Sequence, residues 1–441
     1  MSILRLLSPA KAARFATAVR QEGWRVAIEK SRAHLALALG HGRSALDGGA
    51  GQGKPRTGPD YLTRFWRETA QAQALHAAAA PATLTNRRRI ALIGDLNLPQ
   101  CRKYRVDQLA ELWDAQGWQY DYAHEGDIAR AVGLMQDATH LMFYRTRNTA
   151  QTSMYLYEAR RLRLPVAYDI DDPLFSVAAY QTYGNMGPVG EHLQAHFISE
   201  APKYLDAMNL ADIVTVSTPG LARHARELTP RPVHVRRNFA DAATLAAGRR
   251  AMHPRHPRAP GEPFTAAFAS GSMGHEADFA EIADDMAAFV TAAPDRRLLI
   301  LGHFDPKALP EALRARTEFT AFSDYESYLA ALARADCAVM PLADDLFNRC
   351  KSAVRVIDAA AVAAPSLVSP VGDLSAVVAQ GETGRVLEIG QSWADALEAL
   401  ADDRAACAAM GHAARARIET HWTAGAGEHI VDPALLDWIR Q

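Results

Sequence analysis

Lys351 and Ser352 stand just ahead of an Ala-rich, helix-forming run, with Arg355 and Asp358 following at spacings of four and three. A helix N-terminus gathers unpaired backbone N–H groups and the positive end of the macrodipole, so an anion is stabilised there. Adding a lysine and a serine makes the stretch a candidate phosphate site. An N-cap at Ser352 beside a solvated Lys351 would account for the same local pattern. A second cluster is acidic: Asp169, Asp171 and Asp172 close the apolar run of PVAYDIDDPLF. Carboxylates this close repel one another and call for a compensating cation, proton or substrate hydroxyl. A metal and a general base for a sugar hydroxyl are both open, as is a capped turn with two solvated acids. Two further stretches carry polar chemistry. CRKYRV places Arg102, Lys103 and Arg105 around Tyr104, suited to a phosphate or an acceptor carboxylate. SGSMGH opens with Ser270 and Gly271, where the backbone can approach a ligand closely, and ends on His275, which can cap a helix or meet a diphosphate.

These residues need a scaffold that delivers them to strand ends. Apolar runs without alternation, beginning with RIALIG at residues 89–94, read as strands of parallel sheets buried on both faces. Strands are expected at residues 118–124, 140–145, 165–170, 213–218 and 233–239, with helical patterns between them. The rhythm breaks over residues 242–262, rich in proline and basic residues, which reads as a linker. It resumes with strands at 264–270, 298–302, 319–322, 338–342, 366–369 and 385–389. The expectation is a helical extension and linker over 1–86, an N-terminal Rossmann-like domain over 87–241, a C-terminal one over 263–422, and a tail over 423–441. Two such sheets in tandem place their carboxyl edges across a cleft.

Composition bounds the rest. At 441 residues, 49% hydrophobic and 22% charged, the chain has the make-up of a soluble multidomain protein. A net charge of -2 gives no case for nucleic acid. Cys101, Cys337, Cys350 and Cys407 stand far apart, arguing for a reducing compartment and against a disulfide frame or structural zinc. With no apolar run long enough to span a bilayer and no signal-peptide pattern, a cytoplasmic protein is expected. Residues 1–43 are basic and apolar at roughly helical spacing, a pattern that fits the inner face of an anionic membrane or packing on the protein itself. Neither G-x-G-x-x-G after the first strand nor a P-loop signature occurs, which disfavours a dinucleotide oxidoreductase or a P-loop enzyme.

Together CRKYRV, YDIDDPLF, ADIVTVSTPGLA, SGSMGHEADF and FNRCKSAVRVIDAAAVAAPSLVS with GETGRVLE resemble the GT-B glycosyltransferases of group 1, or family four, of the bacterial cell-surface polysaccharide type. The resemblance covers roughly residues 89–421. It implies an α/β GT-B fold of two Rossmann-like domains. It also implies a retaining, hexosyltransferase-like enzyme that uses a UDP-, GDP- or dTDP-sugar, requires no cofactor or metal, and serves a glycan or lipid-linked acceptor. By position, Asp358 matches the second acid of the E-x7-E element, which holds the nucleotide ribose. Lys351 and Ser352 match the loop at sugar and diphosphate, and Asp171 or Asp172 matches the group facing the reacting carbon. Ser270, Gly271, His275 and Arg355 complete the implied donor site, with Arg102 and Arg105 toward acceptor or phosphate. Two departures stand out. Cys350 occupies the place of the first acid, and the Arg and Lys usual after the first strand of the second domain are missing. Their role would pass to Lys351, Arg355, His275 or Arg105. A nucleotide-sugar 2-epimerase and a non-catalytic sugar-nucleotide-binding module are the alternatives.

Overall fold

The computed structural model describes residues 87–187, 189–252, 261–271 and 274–441, together with 16, 19, 24, 27, 28, 31 and 32, which are helical. The rest of the extension expected over 1–86, including most of the basic stretch to residue 43, lies outside the described residues, as does Ser272. The chain divides into two units, Met1–Glu68 with Gly190–His196, and Thr69–Val189 with Phe197–Gln441. Both sheets belong to the second unit.

The first sheet contains β1 (Arg89–Gly94), β2 (Gln119–His124), β3 (His140–Tyr144), β4 (Val166–Ile170), β5 (Ile213–Val216) and β6 (Val233–Val235). They lie in the order β2-β1-β3-β4-β5-β6, parallel throughout. The second contains β7 (Phe264–Ser270), β8 (Arg296–Gly302), β9 (Thr317–Thr320), β10 (Cys337–Met340), β11 (Ser366–Val368) and β12 (Gly384–Val386). Its order is β12-β11-β10-β7-β8-β9, again parallel. β3, β4, β5 and β10 are buried at every residue, which is why their sequences run apolar without alternating. Several helices start on side-chain caps: Asp127, Thr149, Thr218 and Asp403 each accept from a backbone N–H of the turn they precede.

Three segments differ from expectation. Ala242–Met252, read as linker, is a helix. Asp241 caps it by accepting from the Thr244 N–H at 2.6 Å, and every proline of the stretch falls after Met252. Gly248 lets this helix lie directly on the carbonyl of Ala361, where a Cβ would collide. The strand expected over 233–239 stops at Val235, because Arg236 turns its side chain into the first domain and its backbone bridges to Val431. The segment read as a tail carries the helix Pro433–Arg440, which returns to the first sheet: Trp438 meets His140 edge-on, and Asp432 pairs with His234 at 2.9 Å. Among the described residues no helix is long and apolar enough to cross a membrane.

Candidate active site between the two sheets

The carboxyl ends of β3, β4 and β5 bring Arg145, Asp171, Asp172 and Thr218 to one edge of the first sheet. Arg145 directly follows β3 and has a left-handed φ of 53°, costly for a non-glycine residue. That backbone turn aims its guanidinium at Asp171, 3.6 Å away, and at the Cys101 sulfur, to which it donates at 3.1 Å. Asp171 is thereby paired. Among the described residues no side chain pairs with the Asp172 carboxyl in this way: burial first, then the charge of Asp171, pushes it up to about 6. Arg145 and then Lys351, the latter across the domain boundary, pull in the opposite direction.

Opposite this edge, the chain after β10 forms a short 3-10 turn, Asn348–Cys350, and Lys351 follows in extended conformation. The helix behind them runs from Val354 to Ala361, with Ala353 in the cap position and no side-chain cap. Ser352 is therefore not an N-cap. Its hydroxyl instead accepts from the Asn238 amide of the first domain at 3.0 Å. The helix start keeps its N–H groups free of side-chain caps, a suitable setting for an anion. Lys351 donates to the Tyr183 hydroxyl at 2.8 Å and lies 5.0 Å from that ring's centre. Burial lowers its ammonium to about 8, against the support of Asp278. Tyr183 itself stacks on Phe347 with centroids 4.1 Å apart, closing the first domain over the loop.

Arg355 donates to the carbonyl of Ala269 at 3.1 Å, beside the end of β7. There Ser270 is buried, while Gly271 has open space where a side chain would be. His275 donates through Nδ1 to Asp278 at 2.7 Å. Burial lowers its imidazole to about 3, so it is neutral and contributes hydrogen bonds rather than charge. Asp278 also accepts from Asn185 of the first domain at 2.7 Å and from Asn348 at 3.0 Å. Despite burial, the hydrogen bond from His275 and the charge of Lys351 hold it below the usual carboxylate range.

Two arginines from CRKYRV lie away from this centre. Arg105 is fully buried and forks onto Asp169 at 2.9 and 2.6 Å, while donating to the Arg236 carbonyl. Arg236 and Thr215 complete the shell around Asp169. Arg105 is thus a core ion-pair residue, and Asp169 is its counter-ion rather than a member of the cleft. Arg102 is half exposed at the periphery, bonded to the Tyr122 hydroxyl at 2.6 Å and to Asp107 at 3.3 Å.

Asp358 is buried within the domain boundary. Its Oδ1 accepts from the hydroxyls of Tyr104 and Tyr325, each at 2.6 Å. Lys103 lies over both rings, at 4.5 and 4.4 Å from their centres. Sequence reasoning did not single out Arg145, Tyr183, Asn238, Asp278 or Tyr325. Arg145 carried a readable signal, a basic residue directly behind a fully apolar strand; the others meet their partners only through the tertiary fold. Among the described residues no group of three or more His, Cys, Asp or Glu side chains is placed to hold a metal ion.

Residues 266–403 match the family profile of the glycosyl transferases group 1. No protein of curated function matches the chain in sequence. Among solved structures, sucrose-phosphate synthase from Thermosynechococcus elongatus superposes with a TM-score of 0.50 at 17% identity, covering 76% of this chain and 94% of that one. A glycosyltransferase from Rickettsia africae also reaches 0.50, at 10% identity, covering 81% and 98%. These likenesses carry the fold, two Rossmann-like domains in the GT-B arrangement. The second domain is thus similar to the glycosyl transferases group 1 over residues 266–403, and the chain has the GT-B fold.

Proposed function

We infer that the chain moves a sugar from a nucleotide-sugar donor to a glycan or lipid-linked acceptor in cell-surface polysaccharide synthesis. The observation that carries this reading is the position of Lys351. It lies within the stretch similar to the group 1 transferases, ahead of an uncapped helix start, in the electrostatic reach of Asp172 from the facing domain. Such chemistry builds negative charge on the leaving nucleoside diphosphate while the sugar becomes oxocarbenium-like, and positioned cations and backbone N–H groups stabilise that charge. In this reading Lys351, Arg355 and the amides beyond Ser352 take the diphosphate. Ser270, Gly271 and His275 border the donor, and Asp358 takes a ribose hydroxyl. Asp171 and Asp172 face the reacting centre from the first domain. Residues 87–241 serve the acceptor and residues 263–422 the donor, with retention of configuration and a hexose as the transferred sugar.

The donor nucleotide is a UDP, GDP or dTDP ester. The chain acts in the cytoplasm, and the basic residues among the first 43 contact the anionic inner membrane face; vesicle sedimentation unchanged by deleting them would remove that contact. The activity is tested by incubating the full-length protein with a panel of nucleotide sugars and scoring transfer or slow hydrolysis. Failure to turn over any of them while still binding nucleoside diphosphates would favour a binding module instead.

A further inference from the structure

Asp358 is 4% exposed, and the oxygen that receives Tyr104 also receives Tyr325. A carboxylate oxygen offers two lone-pair directions, so Oδ1 is saturated. The two donors differ in origin. Tyr325 opens a helix of the second domain, Tyr325–Leu332, and moves with Asp358. Tyr104 sits in the π-helical turn Lys103–Asp107 of the first domain, so its bond spans the domain boundary. Burial and the neighbouring Asp358 raise both phenols well above their ordinary range, which keeps them as donors. Lys103 is fixed between the two rings by Thr244 at 2.6 Å and Asp241 at 3.2 Å.

We propose that Tyr104 is an interdomain latch that a nucleotide must displace: its hydroxyl occupies the carboxylate position that a ribose diol takes. The proposal rests on the reading of Asp358 as the ribose-binding acid. A ribose approaching so buried a carboxylate must move a neighbour, and the group from the facing domain can leave without unfolding either sheet. Donor binding is then coupled to release of Tyr104, and the apparent affinity for nucleotide is reduced by the fraction of molecules that remain latched.

The test is calorimetric titration of the full-length protein, Tyr104→Phe and Asp358→Asn with UDP, GDP and dTDP. Tyr104→Phe keeps the ring, and with it the stack on Lys103, while removing the hydroxyl. The expected result is that one nucleotide binds Tyr104→Phe about tenfold more tightly than wild type, in line with loss of a charge-assisted hydrogen bond. Asp358→Asn should bind it more weakly. Hydrogen exchange at residues 103–107 should rise in wild type on saturation with that nucleotide. Unchanged or weaker binding by Tyr104→Phe, with Asp358→Asn impaired, overturns the latch and leaves the donor site standing. Undiminished binding by Asp358→Asn, or no binding by either wild type or Tyr104→Phe, removes the donor-site reading and the latch with it.

Discussion

Lys351, on the second domain, donates a hydrogen bond to the hydroxyl of Tyr183, on the first, at 2.8 Å. The ammonium is thereby held at the domain boundary before any phosphate arrives. Lys351→Ala is expected to lower kcat by about 10²- to 10³-fold, the usual loss when one preorganised donor to a developing anion is removed. Tyr183→Phe, which keeps the stack on Phe347, should lose far less. Steady-state transfer assays on both variants check this pair.

The pH dependence of kcat/KM should be bell-shaped. The acid limb follows Asp172, raised to about 6, and the alkaline limb follows Lys351, lowered to about 8. Asp172 also affects stability. Its carboxyl holds a proton more tightly in the fold than in the unfolded chain, so the fold loses stability as pH rises from 3.8 to about 6, and the loss persists above. Asp172→Asn should therefore abolish the acid limb. It should also raise the thermal midpoint at pH 7.5 while leaving it nearly unchanged at pH 3.5.

Arg105 separates a structural role from a phosphate-binding one. Its removal leaves Asp169 buried with a weakened counter-ion shell, and breaking one side of such a pair costs about 3–5 kcal/mol. Arg105→Met should shift urea denaturation by that amount, whereas Arg102→Met should leave it within about 0.5 kcal/mol. Equal stability of the two variants would contradict the buried assignment.

Gly220 is the second residue of the helix Pro219–Leu228, and a Cβ there would run into the carbonyl oxygen of Arg349. Its neighbour Thr218 accepts from the Leu221 N–H at 3.0 Å and donates to the Cys350 carbonyl at 2.9 Å. The chain ahead of Lys351 is thus seated on a helix start of the other domain. Gly220→Ala should raise KM for the donor several-fold with a smaller effect on the melting of the first domain, measured by donor-dependent kinetics beside thermal denaturation.

The two sheets were legible because buried parallel strands leave uninterrupted apolar runs, as RIALIG does at β1. Asp171 and Asp172 were legible as charges at the end of such a run, and Lys351 as a charge just ahead of a helix-forming one. Arg105 looked like its neighbours Arg102 and Lys103 because its partner Asp169 lies 64 residues away, and only the fold turns one arginine of the three inward. Ser352 read as an N-cap because it stands just before the helical run; only the fold brings Asn238 of the first domain to its hydroxyl, while Asn348–Cys350 ahead of it forms a turn of its own, held by Asp345, which accepts from the Asn348 N–H at 2.8 Å. The tyrosines around Asp358 gave no signal, since each alone is an ordinary half-apolar helix residue and the cluster exists only once two domains meet.

The helix Pro433–Arg440 closes the surface of the first sheet, with Leu435 and Ile439 buried and Arg440 over Trp118. The first sheet is therefore completed by residues that come after the whole second sheet in the chain. Until residues 433–440 are made, His140 and Trp118 lack the side chains that lie against them in the finished fold, so the first domain reaches its final packing only after the second has been synthesised.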